Sequence, residues 1–465
     1  MSAVIGPIEE IVGQDGLKIP WYMIRFDKRG RLKSPQTLNH LVEALELGDF
    51  THVFLVCHGW NNNWQHAYDR YRGFAKKFIE VRATLDIALP ANYKPVLVGV
   101  FWPSISLVLP WEKGPVIAGN SASVDGPGLS AEDRAIEGEV DSAIDMFAED
   151  LAEDRLDEYY QLMNSSSLTL KQAGEMAELL ASSLGDDDEI GTSADAKDLA
   201  AALIASAAQL QGNSPGSSAD DEENAGISSA GVVASSPQAA GGLAAIDPRN
   251  LIRMATVWKM KDRAGKVGAT GVHDMLNTIL KNSKASIHVL GHSYGCKVLL
   301  SAITQGDLSG KITSALLLQP ALSHLAFAVN ISGVDRPGGY RAALKRIIQP
   351  VMTTFSKNDF ALTKIFHLAV RRKSDLGEIK IAATEVPPVK APSKYAALGG
   401  SGPHGMADGE QVNTFLHDSG EQYKELENES LQCIALESSA MIGGHGDVIQ
   451  AETAWALHEQ VRLSL

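Results

Sequence analysis

The residues in this sequence whose types and spacing can do chemistry together are Ser293, His445 and Asp359, with the backbone at Trp60 and Tyr294. Gly291-His292-Ser293-Tyr294-Gly295 has G-x-S-x-G spacing, in which the glycines let a strand and a helix meet closely around a serine hydroxyl. Its flanks agree. Residues 286–290 (Ser-Ile-His-Val-Leu) read as a buried strand and 296–302 as an apolar helix, which puts the serine on a strand-to-helix turn. A hydroxyl there is a weak nucleophile until a base takes its proton.

An imidazole, with an ordinary pKa near ~6.5, takes that proton and returns it at neutral pH. His445 stands in Met441-Ile442-Gly443-Gly444-His445-Gly446-Asp447, after an apolar run at 431–436, and its glycines let the loop bring the ring back over a sheet. A carboxylate must then fix the histidine's tautomer and stabilise the imidazolium. Asp359 follows the apolar run 351–355 by four residues, and Asp335, in the loop after the preceding run, is the alternative acid. Asp359 can also serve as an N-cap for 360–367. Asp447 is expected to serve its own loop's hydrogen bonds.

Acyl transfer develops an oxyanion that preorganised N–H groups must meet. The run 53–57 ends in His58-Gly59-Trp60-Asn61-Asn62-Asn63, so the N–H groups of Trp60 and Tyr294 are the expected donors. The remaining histidines have lesser roles: His288 as a core residue, His292 as the variable position of the pentapeptide, and His404 in a glycine-rich stretch. The sequence has no H-E-x-x-H, no cysteine pair at zinc spacing and no phosphate-cradling glycine loop after a strand. The expectation is a site without metal or cofactor.

The elements that must hold these residues alternate. Apolar runs at 22–26, 53–57, 96–101, 287–290, 315–318, 351–355 and 431–436 are short and mostly continuous, as in strands buried on both faces. Helix-like stretches at 38–47, 67–83, 272–280, 296–304 and 451–463 lie among them. This predicts an α/β fold, a mostly parallel sheet with helices on both faces.

With these motifs the chain resembles the α/β-hydrolase superfamily. The resemblance rests on the serine pentapeptide, the His-Gly-Trp loop and Val100-Phe101-Trp102-Pro103-Ser104, which looks like a strand ending of lipase- and esterase-like members. It implies the order nucleophile, acid, histidine along the chain and an activity on carboxylic esters. It is also similar to poorly characterised bacterial hydrolases and some bacterial lipase effectors. A peptidase, amidase or acyltransferase on the same residues is the alternative enzyme, since fold and triad do not set the substrate. A silent hydrolase fold acting as a binding module is the alternative outside enzymes.

Net charge locates a second region. Of the total of −15, residues 131–226 carry 24 acidic against 4 basic side chains, a net −20, which leaves the rest of the chain about +5. Residues 113–246 therefore read as an acidic insertion, helical to about 185 and then largely disordered, with 1–112 and 247–465 forming the catalytic domain. The insertion can serve as an arm for a protein partner. The apolar stretches 105–111 and 115–118 beside it suit either packing or a lipid-facing rim, hence peripheral membrane contact. The expected substrate is a small-molecule or lipid acyl ester. Nucleic acid is not an expected partner, because no basic stripe is interleaved with aromatics. Cys57, Cys296 and Cys433 cannot all pair, and neither a signal peptide nor a long apolar span is visible, so a cytoplasmic location is expected, with leaderless export left open.

Overall fold

The computed structural model describes residues 5–14, 16–104, 143–184, 200–205, 207, 246–332, 335–366 and 395–465. Strands β1 (Glu9–Val12), β2 (Lys18–Arg25), β3 (His52–Cys57), β4 (Pro95–Phe101), β5 (Ser286–His292), β6 (Ser314–Leu318), β7 (Val351–Phe355), β8 (Gln411–Phe415) and β9 (Cys433–Glu437) form one sheet. Their order is β1-β2-β4-β3-β5-β6-β7-β9-β8, with β1 antiparallel to β2 and every other pairing parallel. The architecture is α/β. β3 and β6 are buried along their whole length, which is why their sequences read as continuous apolar runs.

The longer α-helices among the described residues are α1 (Pro35–Glu46), α2 (Trp64–Thr84), α3 (Leu156–Met163), α4 (Leu170–Leu184), α5 (Pro248–Val267), α6 (His273–Asn282), α7 (Tyr294–Thr304) and α8 (Ala451–Arg462). Side chains of α2 and α8, among them Phe74, Phe78 and Leu457, share a core with Phe54, Val56, Leu290 and Leu316 of the sheet. Strand residues alternate in direction, so Val53, Leu55, Val289 and Leu317 point to the opposite face. There α7 runs along β5 and touches β3, while a π-helical turn at Gly268–Val272 packs against it. Gly268 permits that approach: a Cβ there would stand 2.2 Å from the Val298 carbonyl oxygen.

Contacts divide the chain into two units, Met1–Ile105 with Met260–Leu465, and Ser106–Lys259. These limits, after 105 and after 259, lie 7 and 13 residues from the 112/113 and 246/247 boundaries expected from composition. The second falls inside α5, and an unbroken helix carries no composition change at its middle. In the second unit α3 and α4 bury Tyr159, Met176 and Leu180. There Lys259 Nζ meets Asp150 Oδ2 at 2.5 Å and lies 4.7 Å from the Phe147 ring centre. Of the stretch expected to be largely disordered after 185, residues 200–205 and 207 are helical, with Leu203 and Ala207 fully buried, which corrects that expectation for these residues. Its remainder up to 245, and the apolar stretches 105–111 and 115–118, lie outside the described residues. Among the described residues no helix is long and apolar enough to cross a membrane. Cys57, Cys296 and Cys433 are buried and unpaired, and burial pushes the Cys433 thiol up to about 12.

Candidate active site

Parallel strands deliver their following loops to one edge of a sheet, and the residues singled out above meet at that edge. Ser293 directly follows β5. Its backbone has φ 55° and ψ −126°, a region costly for a side chain with a Cβ, on the order of 1–3 kcal/mol. The turn is held on both sides. Ser293 N donates to Leu318 O at 3.1 Å, and Cys296 N donates to Ser293 O at 3.1 Å. Both pentapeptide glycines are sterically required: a Cβ at Gly295 would stand 2.1 Å from Cys57 O, and one at Gly291 2.8 Å from the Cys296 backbone.

The loop after β9 brings His445 to the serine, with Nε2 2.8 Å from Ser293 Oγ and Nδ1 2.8 Å from Asp359 Oδ2. An ionised carboxylate only accepts, so Nδ1 carries the proton and Nε2 turns a lone pair to the hydroxyl. Asp359 is fully buried, whereas the His445 side chain is 21% exposed. Oδ1 of Asp359 accepts from Leu362 N at 3.0 Å, so this aspartate both faces the histidine and caps the following turn. The two loops are also tied directly. Ser356 Oγ donates to Ile442 O at 2.8 Å, and Asn358 Nδ2 donates to Ser439 O at 2.7 Å.

Asp335 is elsewhere. It sits at φ 55° in its own loop and accepts from Asn330 Nδ2 at 3.1 Å. Asp447 accepts from Gly443 N at 3.2 Å and from Gln450 Nε2, both within or beside the histidine's loop.

The loop after β3 abuts the serine. Gly59 lies against Ser293, and the indole of Trp60 approaches the Tyr294 ring, with centroids 6.4 Å apart. Tyr294 opens α7, so its N–H stands at a helix N-terminus, where developing negative charge is favoured. A buried polar network fixes this loop. His58 Nδ1–H donates to Gly59 O at 2.9 Å, which leaves Nε2 to accept from Trp102 N at 3.3 Å. Burial lowers the His58 pKa to about 4, in keeping with a permanently neutral ring. Tyr71 Oη accepts from His58 N at 2.7 Å and donates to Val100 O at 2.6 Å. Asn62 Nδ2 donates to the Gly59 and Trp60 carbonyls at 3.1 and 2.8 Å, and Ser104 Oγ donates to Asn62 O at 3.1 Å.

Sequence reasoning passed over several of these residues. His292 Nε2–H donates to the His445 carbonyl at 2.7 Å, tying the serine turn to the histidine's loop. Burial, with the charge of Arg70 nearby, holds the His292 pKa well below its ordinary value. Arg70 Nη1 reaches the Gly446 carbonyl at 3.4 Å. Tyr71 carried no motif, whereas Trp102 and Ser104 stood in the strand ending already noted. His288 is buried, its Nδ1 2.8 Å from Ser314 Oγ, with a pKa lowered to about 3 by burial. His404 Nδ1 lies 3.1 Å from the Gly402 carbonyl, away from the serine's partners. A cavity of about 40 Å³ behind the turn is lined by Val56, Leu290, His292, Leu318 and Val448. Among the described residues no group of three or more His, Cys, Asp or Glu side chains is placed to hold a metal ion.

No family model, curated protein or solved structure matches this chain. What the site can do therefore rests on its own geometry. A hydroxyl, an imidazole and a buried carboxylate in one hydrogen-bonded line can generate an alkoxide-like nucleophile and stabilise the imidazolium that forms.

Proposed function

We propose that this protein is a serine hydrolase of the α/β-hydrolase type that cleaves carboxylic esters. The observation that carries the reading is the unbroken line Ser293 Oγ, His445 Nε2, His445 Nδ1, Asp359 Oδ2, with both contacts at 2.8 Å and the serine on a strained turn after a central parallel strand.

In this mechanism Ser293 Oγ attacks the substrate carbonyl as His445 Nε2 takes its proton, and the carbonyl oxygen becomes the oxyanion. The backbone N–H groups of Trp60 and Tyr294 receive that charge. His445 then gives the proton to the departing alcohol, leaving an acyl group on Ser293. Water, deprotonated by the same imidazole, releases the acid and restores the serine. Asp359 holds the Nδ1–H tautomer throughout.

A fluorophosphonate probe tests the activated serine. Wild-type protein is expected to label and Ser293→Ala is not, while both keep the same melting temperature. A wild type that stays unlabelled and inert on esters overturns the reading in favour of a hydrolase fold used for binding. A chain-length series of nitrophenyl esters, with phospholipid vesicles and peptides in parallel, assigns the acyl donor. Faster turnover of peptides would replace the esterase by a peptidase or amidase on the same serine.

A further inference from the structure

The side chain of Gln319, which follows β6, meets the buried carboxylate at the centre of the site. Its Nε2 lies 3.0 Å from Asp359 Oδ2 and 3.2 Å from the Gly399 carbonyl. Both partners accept, so the amide must present its NH2 there, and its flip is fixed by these contacts. Oε1 is thereby turned to a place where, among the described residues, it is buried without a partner. Gln319 is also fully buried and holds φ +43°, where a long side chain strains the backbone.

The surroundings are built around this strained residue. Gln319 N donates to Thr354 Oγ1 at 2.8 Å, which anchors it to β7. Position 399 has no room for a side chain, because a Cβ there would stand 2.5 Å from the Gln319 carbonyl carbon. The Gly399 carbonyl that accepts from Gln319 also accepts from Ser356 N at 3.0 Å, three residues before Asp359. An apolar residue at 319 would bury no orphaned oxygen, and a glycine would relieve the backbone. A residue that keeps both penalties is placed for what its amide N–H groups do.

We propose that Gln319 is a positioning residue of this site, whose side-chain amide donates to Asp359 Oδ2 and holds that oxygen toward His445 Nδ1. Oδ2 then accepts from His445 and Gln319, while Oδ1 accepts from Leu362 N. Hydrogen bonds to the charged form of a carboxylate favour that form, and a carboxylate stabilises an imidazolium where a neutral acid does not. An amide donor does not titrate, so it performs this role wherever the fold persists. The kinetic consequence rests on the hydrolase reading above; the electrostatic one does not.

The test uses the full chain with Gln319→Met, which keeps the length and removes the donor, and Gln319→Glu, which keeps the shape and replaces the amide by a carboxyl that donates only when protonated. Steady-state kinetics are measured on the nitrophenyl ester that wild type turns over best. The His445 pKa is read by NMR on histidine-labelled protein, assigned from the signal missing in His445→Gln. The charged and titratable neighbours of His445, namely Asp359, His292, Arg70 and Asp447, are kept in both variants.

Gln319→Met is expected to lower kcat at least about tenfold with KM within about twofold, the pattern for a group acting only on the reacting state. Gln319→Met is expected to shift the His445 pKa as well, since the carboxylate facing Nδ1 loses a donor. Gln319→Glu, held protonated by two acceptors one of which is a carboxylate, still donates to Oδ2 and is expected to keep kcat closer to wild type than Met does. A Met variant with kcat within about twofold of wild type and an unchanged His445 pKa, or a Glu variant with kcat no higher than that of Met, overturns the proposal. If circular dichroism shows the Met variant unfolded, the kcat of the Glu variant decides alone, retention within about tenfold of wild type supporting the proposal and a greater loss overturning it. A wild type that neither hydrolyses esters nor labels fails the hydrolase reading instead, and the NMR measurement still decides the role of Gln319.

Discussion

Gly59 and Ser293 share one small space: a Cβ at position 59 would stand 2.5 Å from Ser293 Cβ and 3.1 Å from its Oγ. Glycine at 59 is thus what allows the loop after β3 to lie against the serine turn. Gly59→Ala must push the loop or the turn aside. Its kcat on esters is expected to fall about tenfold or more, since misplacement by about 1 Å at a reacting centre costs up to 10²-fold. Fluorophosphonate labelling rates compared with wild type check this, and equal rates would show that the loop does not need its position.

The two candidate acids separate cleanly. Asp359 touches His445, whereas Asp335 touches Asn330. Asp359→Asn is expected to cost about 10⁴ in kcat, as in a well-studied serine protease where asparagine stabilises the wrong tautomer. Asp335→Asn is expected to stay within a few-fold. Measuring kcat for both at neutral pH decides, and a crippled Asp335→Asn would move the acid to the earlier loop.

Tyr71 holds the loop after β3 from below. In Tyr71→Phe the His58 N–H and the Val100 carbonyl lose their shared hydroxyl inside a buried network. An unsatisfied buried group costs about 1–3 kcal/mol, so the urea midpoint is expected to drop. The catalytic rate is expected to drop with it, because Gly59 and Trp60 follow His58 directly. Unchanged midpoint and rate would mean that another partner replaces the hydroxyl.

Acid sensitivity follows from the buried histidines. Burial lowers His52, His58, His324 and His458 to about 4 and His288 to about 3, against 6.5 for a free imidazole. Between those values the unfolded chain binds more protons than the folded one, so stability rises with pH there. It is fully present above about pH 6.5 and is lost as pH falls toward 4, by up to about 1.4 kcal/mol per pH unit for each histidine. Urea unfolding at pH 7.5 and pH 5 is expected to show a clearly lower midpoint at pH 5. Equal midpoints would mean that these rings gain protons without leaving the core.

The sequence shows the central strands well because burial on both faces removes alternation and leaves runs such as 53–57 and 315–318. It hides the edges. β1 (Glu-Glu-Ile-Val) and β8 (Gln-Val-Asn-Thr-Phe) are half-exposed and carry too few apolar residues to stand out. The helix α5 was also missed, its lysines and arginines spread among the apolar positions. At the site, Ser293, His445 and Asp359 were legible because each follows an apolar run, two of them among glycines. Gln319, His292 and Tyr71 were not. Their contacts cross 40, 153 and 29 residues of sequence, and no local pattern encodes which distant carbonyl or carboxylate a side chain will meet.

The sheet order also bears on when the molecule becomes competent during synthesis. Ser293 and His445 are 152 residues apart, and His445 and Asp359 are 86 apart; β9 must slot in between β7 and β8 before they meet. Non-local parallel pairings of this kind form late, since chain closure precedes any stabilising contact. A ribosome-bound chain that has emerged only through Asp359, just past β7, already carries the serine and the aspartate but not the histidine. On the proposed hydrolase reading, competence therefore arises only when the last strand and its loop are in place, and activity would report on folding of the whole sheet.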